Sequence, residues 1–456
     1  MNERGSLDVW LYGTRIATIS DESGRISLRW TPDAAARWGE GTRIVSELLP
    51  VASTSERPHH RRVEVFLENL LPEGNARQHL AFDAGITSDD TFGMIEAYGR
   101  DTAGALIFAP ASSGVPDRGG RLVSLTAAQV GAMIAAAGRN APALGAIPHL
   151  QSISLAGMQP KIGLARTETG WARCVDGYPS THILKLAHPP GSPVADVVHT
   201  EAACLGLART IGLTTVSAEL ANFGRQLVLV VSRYDRVTEA DGRTRRIHQE
   251  DSAQALGISP TDPERKFQHG RQLPSLAKIA QVLRNGGAEP DRLLMLTTFN
   301  LAVGNTDAHA KNISLLRHPD GRAELAPAYD IAMHLHHRLG DRTFAMDVNA
   351  KRAIDEIGVD DLIAEATAWP LPGRRAIRLI ADTLERLAGA LDSVDCAAYP
   401  GVPDAAWEVV SRRTRALLAA VPAVTPAPAP RPATERAAHQ PRDPKGTPQG
   451  GRFTAG

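Results

Sequence analysis

Cysteine is scarce in this sequence, and the scarcity limits the chemistry that the chain can carry. Cys174, Cys204 and Cys396 are far apart in 456 residues and form no Cys-x-x-Cys pair. This spacing argues against a thiolate zinc site and a disulfide framework, and it fits a reducing compartment. The chain also lacks any run near the roughly 18 apolar residues of a membrane span, and it begins without a signal-peptide core. We therefore expect a soluble cytoplasmic protein with no membrane partner.

Neither charge is in excess, because 50 lysines and arginines balance 50 aspartates and glutamates. A net charge of zero offers no strong field for nucleic acid or an anionic membrane. Contact with DNA would therefore need a local basic patch or a partner protein. The hydrophobic share of 43% and the charged share of 22% are typical of globular proteins, and the length allows two or three domains.

Sequence patterns divide the chain into a β-rich half and an α-rich half. Residues 7–30 alternate apolar and polar side chains, and residues 63–81 are helix-like with a break at Pro72. Strand patterns dominate residues 150–236 around one helix at about 196–210. Helices are predicted after that, at about 275–286, 290–303, 359–369, 374–392 and 404–420. The division predicts an α+β fold with a cleft between two lobes.

The domain boundaries are predicted from the same changes in pattern. We expect a small β-containing domain at 1–110, a linker with a short helix at 111–149, a β-rich part at 150–236 and an all-helical lobe at 237–420. Thr126 and Gln129 are spaced as a capping box for the short helix. Residues 421–456 are rich in Pro, Ala and Arg and nearly free of large aliphatic side chains, so a disordered tail is predicted.

The stretch GNTDAHAKN, residues 304–312, is unusually polar for a segment that follows an apolar helix. A hairpin with an Asp320-Gly321 turn would place Asn312 opposite Tyr329 and beside Asp330. The amide and carboxylate oxygens of Asn312 and Asp330 suit Mg²⁺, and Asp307 could orient or deprotonate a hydroxyl. An Asp-x₄-Asn spacing followed by a second Asp is the layout of a protein-kinase catalytic half. A solvated loop is the alternative.

A lysine and a glutamate in the β-rich half predict an ion pair. Lys185 lies in the middle of the strand-like THILKLA, and Glu201 lies on the apolar face of the following helix. Each would be costly to bury alone, so we expect them to meet, as in the lysine–glutamate pair that positions kinase phosphates. A purely structural salt bridge is the alternative.

Two further segments are candidates for nucleotide contact. In SISLAGMQPK, the small residues could let backbone N–H groups approach a phosphate, which Lys161 could also reach. The strand LVLVVSRYDR turns polar at Ser232 to Tyr234, where an adenine edge could bind. A simple hairpin turn and a strand end are the respective alternatives.

In this order, the segments resemble the HipA family of serine/threonine kinases, the toxins of bacterial toxin–antitoxin pairs. The matching stretches are SISLAGMQPK, HILKLAHP, TEAACLGLA, VSRYDR, RIHQEDSAQALG, GNTDAHAKNISLL and LAPAYD, and residues 63–81 resemble the family's small N-terminal domain. The resemblance covers about residues 5–390. It implies a two-lobed kinase that uses ATP and Mg²⁺ to phosphorylate a protein Ser or Thr.

The resemblance also implies a role for each matching residue. Asp307 takes the catalytic-base position and Lys185 the phosphate-lysine position, supported by Glu201. Asn312 and Asp330 take the magnesium positions, and His309 orients the loop or touches nucleotide. Ser154 falls where family members autophosphorylate and switch themselves off. The nucleotide loop is formed by Ala156, Gly157, Met158, Gln159 and Lys161, and the base edge by Ser232 and Tyr234, although Ser232 stands where the family often has Glu.

The partner implied by the resemblance is a DNA-binding, HipB-like antitoxin that would supply most of the DNA contact. An aminoacyl-tRNA synthetase is one candidate substrate. A catalytically silent ATP-binding module and a small-molecule kinase are alternative functions. No role is assigned to Asp251 and Gln254. His334, His336 and His337 have no carboxylate at a matching spacing, so they are interpreted as loop or helix residues rather than metal ligands.

Overall fold

A computed structural model describes residues 5–114, 120–138, 160–338 and 340–423 of the chain. Ser154 and most of the predicted nucleotide loop, namely Ala156, Gly157, Met158 and Gln159, lie outside the described residues. The tail from residue 424 onward lies outside them as well. Of the predicted site residues, the structure describes Lys161 and those that follow it in the chain.

The N-terminal part folds as a four-stranded antiparallel sheet covered by helices. Its strands are β1 (Leu7–Leu11), β2 (Thr14–Asp21), β3 (Ile26–Trp30) and β4 (Ile107–Pro110), in the order β3-β2-β1-β4. Tyr12 and Gly13 both have positive φ, so they form the tight turn between β1 and β2. The helices are α1 (Pro32–Trp38), α2 (His60–Asn69), α3 (Gly74–Asp83) and α4 (Thr91–Tyr98), and the break at Pro72 separates α2 from α3.

A second, six-stranded sheet forms the β-rich part. Its strands are β5 (Arg121–Leu125), β6 (Lys161–Thr167), β7 (Gly170–Val175), β8 (His182–Leu186), β9 (Ala218–Phe223) and β10 (Gln226–Ser232), in the order β5-β7-β6-β8-β10-β9. Residues alternate between its faces: Val228 packs with α5 (Ala127–Gly138), whereas Leu229 packs with α6 (Val197–Thr210). The capping box at the start of α5 is confirmed, since Gln129 N donates to Thr126 Oγ1 at 3.3 Å and Thr126 N donates to Gln129 Oε1 at 2.8 Å.

The C-terminal part is mainly helical, with short strands between its helices. The helices are α7 (Ser252–Leu256), α8 (Leu276–Asn285), α9 (Asp291–Val303), α10 (Val359–Ala368), α11 (Gly373–Ser393) and α12 (Asp404–Ala419). Their largest apolar cluster includes Phe299, Leu362 and Leu384. The predicted α+β class is confirmed, and the long predicted helices lie within two residues of the observed bounds. No helix in the described ranges combines the length and apolar character needed to cross a bilayer.

The expectation of an all-helical lobe was wrong in detail, because the described residues of this part form three small sheets. They pair β11 (Arg236–Thr238) with β12 (Thr244–Arg246), β14 (Ser314–Arg317) with both β13 (His248–Asp251) and β15 (Ala323–Leu325), and β16 (Thr343–Val348) with β17 (Lys351–Ala353). Apart from the six-residue β16, these strands have three or four residues each and are too short to give a strong periodic signal; the β14–β15 hairpin was predicted from its turn residues instead.

The β14–β15 hairpin forms, but its predicted register was wrong by one residue. Leu315 pairs with Leu325, and His318 N donates to Arg322 O at 2.9 Å. The loop therefore has three residues, Pro319 to Gly321, rather than two. Gly321 has φ +86°, the left-handed conformation that such loops require at one position.

Buried polar contacts join the N-terminal part to the rest of the chain. Glu250, which is 1% exposed, accepts from Ser46 Oγ at 2.6 Å and from Arg317 Nε at 2.8 Å. His248, fully buried, bonds through Nε2 to Val45 O at 2.8 Å, while Ala105 N donates to its Nδ1 at 3.3 Å. These bonds require a neutral imidazole with its proton on Nε2.

Burial lowers the pKa of His248 from 6.5 to about 4, so acid should loosen this junction. A folded-state pKa below the unfolded value stabilises the protein above pH 6.5, and the stabilisation is lost as the pH falls towards 4. The loss amounts to about 3 kcal/mol in the free energy of unfolding. His248→Gln removes the titration but keeps a donor for Val45. The free energy of unfolding, measured in urea from pH 7 to 4, should therefore fall less steeply with falling pH in the variant than in the parent. An equally steep fall in both proteins would contradict the assignment.

Candidate active site

A cavity of about 710 Å³ lies where the six-stranded sheet meets the C-terminal part, with residues of the N-terminal part on its wall. All of the predicted site residues that the structure describes line it: Lys161, Lys185, Glu201, Ser232, Tyr234, Asp307, His309, Asn312 and Asp330. They come from β6, β8, α6, the end of β10, the segment after α9 and the segment after β15. Folding thus brings together side chains separated by up to 169 residues.

Lys185 is the buried cation around which the cavity is organised. It is 6% exposed, and its Nζ lies 2.6 Å from Glu201 Oε1 and 2.6 Å from Asp330 Oδ1. Burial alone would lower the pKa of Lys185, but Asp330 and Glu201 outweigh it and hold the pKa above its usual range. The predicted Lys185–Glu201 contact forms, and Asp330 is a second partner that the sequence did not reveal.

Lys161 lies beside Lys185, because β6 and β8 pair in a register that sets the two residues opposite each other. Burial and the charge of Lys185 lower the pKa of Lys161 to about 8. Two ammonium groups side by side repel each other, so an anion that enters the cavity would add to the compensation that Glu201 and Asp330 already give. The pair therefore makes this wall of the cavity suitable for phosphate.

The polar stretch after α9 is held in place by its own side chains. Gly304 ends the helix at φ +74°, and a Cβ there would come within 2.7 Å of Leu335, so glycine is required on both counts. Asn305 N donates to Asn300 O at 2.9 Å, and Thr306 Oγ1 lies 3.0 Å from His334 Nδ1. The predicted alternative of a merely solvated loop does not fit this arrangement, because Asn305 is 1% exposed.

Asp307 faces the cavity with the properties of a proton acceptor. Its side chain is 53% exposed, but it lies on the cavity wall, where the surrounding protein separates it from bulk water. Burial and the nearby Asp330 carboxylate raise the pKa of Asp307 to about 7. A carboxyl group with a pKa near neutrality can take up a proton at physiological pH.

Asn312 and Asp330 present oxygen atoms to the same cavity. Asn312 Nδ2 donates to the backbone oxygen of Asp307 at 2.8 Å, and the amide oxygen accepts no hydrogen bond in the described contacts. Asp330 has φ +56° and a side chain that is 39% exposed. Attraction to Lys185 and Lys161 overcomes burial and holds the pKa of Asp330 below its usual range, so it is ionised. An amide oxygen and a carboxylate are a donor set that fits Mg²⁺.

His309 is a neutral residue of the cavity wall. Burial lowers its pKa to about 3, and its ring packs edge-on against Phe267 with centroids 5.2 Å apart. Nε2 lies 3.8 Å from Asp307 Oδ1, beyond hydrogen-bond distance. His309 therefore lies beside Asp307 as a neutral ring that makes no hydrogen bond or ion pair with the Asp307 carboxyl group.

At the end of β10, where the sequence predicts an adenine edge, two backbone N–H groups have partners within the protein. Ser232 N donates to Ser217 O at 2.9 Å, and Arg233 N donates to Thr181 O at 2.9 Å. Both amides are thus used within the protein. The Tyr234 ring packs on Tyr329 with centroids 5.5 Å apart, and its hydroxyl bonds to Gln249. This part of the wall offers an aromatic surface as well as backbone.

The polar stretch also contains a buried lysine, Lys311, to which the sequence had assigned no role. Lys311 Nζ lies 2.9 Å from Asp251 Oδ2 and 2.8 Å from Asn69 Oδ1, and Glu73 Oε1 is 3.9 Å away. Asn69 and Glu73 belong to the N-terminal part, at the end of α2 and before α3. Asp251 also caps α7 in a capping box with Gln254, which gives both residues of RIHQEDSAQALG a structural role. The only signal in the sequence was a lysine in a short polar stretch between an apolar helix and the apolar ISLL.

The fold and the cavity define a protein with a kinase-like fold, and the comparisons identify its family. Residues 7–109 match the HipA N-terminal domain and residues 153–391 match the HipA-like C-terminal domain. The C-terminal match alone spans more than half of the chain. The protein therefore belongs to the HipA family of toxin–antitoxin kinases.

Named relatives agree with this assignment. A Sinorhizobium fredii protein named as a candidate kinase, Y4mE, is 32% identical over 85% of this chain and 92% of its own length. The serine/threonine-protein kinase toxin HipA of Shewanella oneidensis is 30% identical over 68% of this chain and 72% of its own length. A solved structure of Shewanella oneidensis HipA with HipB and operator DNA matches with a TM-score of 0.71 and 25% identity, covering 91% of this chain and 96% of that one.

Removing the Lys311 ammonium should destabilise the protein. Lys311→Met leaves the buried Asp251 carboxylate without its cation, and breaking a buried pair in this way costs about 3–5 kcal/mol. The free energy of unfolding, measured in urea, should fall by that amount. Lys278→Met, a matched change at an exposed lysine of α8, should stay within about 0.5 kcal/mol of the parent. Equal stability of the two variants would show that the contacts of Lys311 do not stabilise the folded protein.

Proposed function

We propose that this protein is an ATP- and Mg²⁺-dependent protein serine/threonine kinase that acts as a growth-arresting toxin. The observation that carries the proposal is the position of five side chains on the wall of one cavity: Lys185, Glu201, Asp307, Asn312 and Asp330. Phosphoryl transfer needs mainly positioning and neutralisation of charge, and these residues supply a cation, oxygen ligands and a proton acceptor.

In this proposal the two lysines bind the phosphates of the nucleotide. Lys185 is already fixed by Glu201 at 2.6 Å, so its ammonium needs little reorganisation to meet an anion. Lys161, with a pKa of about 8, gains a proton more readily once phosphate is near. Asn312 and Asp330 would hold Mg²⁺, which when bound offsets phosphate charge.

Asp307 is the proposed catalytic residue. Its carboxyl group lies on the cavity wall and has a pKa of about 7, so it can accept the proton of a substrate hydroxyl or orient that hydroxyl for attack. His309 packs beside it, and Ser232 and Tyr234 are the proposed contacts of the adenine edge. Lys161 continues a nucleotide loop that we assign to Ala156, Gly157, Met158 and Gln159.

The proposed regulation is autophosphorylation of Ser154 and binding of an antitoxin. A phosphate on Ser154 would add about two negative charges beside an anion site, which opposes nucleotide binding. The solved Shewanella oneidensis relative is a complex with HipB and operator DNA, which supports a HipB-like antitoxin here. With a net charge of zero, this chain would contact DNA mainly through that partner. A protein substrate, with an aminoacyl-tRNA synthetase as one candidate, would link transfer to arrested growth.

Asp307→Asn should abolish phosphoryl transfer without unfolding the protein. Loss of a catalytic base lowers the rate by at least about 100-fold, whereas the amide keeps the shape of the carboxylate. The assay incubates purified protein with Mg²⁺ and labelled ATP and locates the label, which we expect on Ser154. Asp320→Asn, the same change at the exposed tip of the β14–β15 hairpin, is the matched control and should retain full transfer.

Other outcomes separate the alternative functions. No label on any protein, with nucleotide binding intact, would contradict the kinase and favour a silent ATP-binding module. ATP turnover only with added metabolites would instead favour a small-molecule kinase. Expression of the parent chain in a bacterial host should stop growth, and Asp307→Asn should not. Equal growth arrest by both proteins would separate toxicity from transfer.

A further inference from the structure

Two neighbouring histidines and an aspartate form a compact cluster beside the active-site cavity. We refer to Asp196, His336 and His337 as the Asp196 cluster. His336 Nε2 lies 2.5 Å from Asp196 Oδ2, and His337 Nε2 lies 2.9 Å from Asp196 Oδ1. Within the described part of the chain, the ligand-type atoms of these three residues all lie within 4.8 Å of one another. The sequence had offered the histidines no carboxylate, because Asp196 lies 140 residues away from His336.

The Asp196 carboxylate is directed to the histidines instead of to its own helix. Asp196 is the N-cap residue of α6, a position where an aspartate ordinarily accepts from the first backbone N–H groups. Its side chain makes no such capping bond. Both of its oxygens bond to histidine nitrogens, so the local preference is given up for the cluster.

The hydrogen bonding of the His336 ring is compatible with metal ligation. His336 has a side chain that is 5% exposed, and its Nδ1 has no hydrogen-bond partner among the residues that the structure describes. The hydrogen bond of one ring nitrogen usually fixes the tautomer of the other. Because no bond fixes Nδ1, the proton can move there and leave the Nε2 lone pair free to bind an ion.

We propose that the Asp196 cluster binds a Zn²⁺-class divalent cation through Asp196, His336 and His337. Two imidazoles and one carboxylate are ligands that suit such an ion, with a fourth position left for water. Tetrahedral bonds of about 2.0–2.1 Å hold ligand atoms roughly 3.3 Å apart. The two observed N–O contacts would therefore open by less than about 1 Å on binding.

The ion would connect two elements that each supply an active-site residue. Asp196 precedes the helix that carries Glu201, and His336 follows Asp330 by six positions. A cation held at the cluster would therefore clamp the start of α6 to the segment that follows Asp330. Binding of the ion does not depend on the proposed kinase reaction, since none of its three ligands bonds to Lys185, Asp307 or Asn312 in the described contacts.

Metal binding by the full, untagged chain tests the proposal. After chelator treatment and buffer exchange, Zn²⁺ affinity is measured by competition with a chromogenic chelator, and Co²⁺ absorbance reports the ligand type. We expect one equivalent without a sulfur-to-cobalt charge-transfer band, and a higher unfolding temperature with Zn²⁺. The double variant His336→Gln/His337→Gln should weaken Zn²⁺ binding by more than about 100-fold, because even outer-sphere partners contribute about 10–100-fold.

The variants separate loss of the site from loss of the fold. Glutamine keeps an N–H donor for Asp196, so the metal-free double variant should unfold near the parent temperature. If it does not, the single change His337→Gln, at a side chain 17% exposed, serves instead. His318→Gln is the matched control, since His318 also pairs with a carboxylate, Glu324, at 3.0 Å, and it should bind Zn²⁺ as the parent does. Absence of saturable binding, or equal affinity in parent and cluster variants, would overturn the proposal.

Discussion

A buried ammonium group needs compensating charge, and that requirement at Lys185 determines how the site is assembled. Lys185 in β8 is 6% exposed and lies 2.6 Å from both Glu201 and Asp330. One carboxylate comes from the helix that covers the sheet and the other from the C-terminal part. Removing either would leave charge buried without its full complement, which is costly. The three residues therefore fix the two sides of the cavity relative to each other.

A second buried lysine extends this principle to the N-terminal part. Lys311 belongs to the same polar stretch as Asp307, and its ammonium contacts Asp251 and Asn69 at 2.9 and 2.8 Å. The N-terminal part thus helps to set the conformation of the segment that carries the proposed base. Glu250 and His248 make further buried contacts with the same part. The N-terminal part therefore forms one wall of the site.

Local patterns in the sequence were enough to predict α6, the long helices of the C-terminal part and the Lys185–Glu201 contact. Periodicity places Glu201 on the apolar face of α6, and a mid-strand lysine then has an obvious partner. Contacts between residues that are far apart in the sequence could not be predicted. The one-residue shift of the β14–β15 hairpin depends on a three-residue loop, and the partners of Lys311 and His336 lie more than 50 residues away.

The central claim is that Asn312, Asp330 and Lys185 together bind a metal–triphosphate complex. A crystal structure with Mg²⁺ and a non-hydrolysable ATP analogue tests it most directly. We expect the ion about 2.1 Å from Asn312 Oδ1 and from an Asp330 oxygen, with Lys185 Nζ in contact with a phosphate. A nucleotide bound outside this cavity, or an ion that neither Asn312 nor Asp330 ligates, would contradict the account.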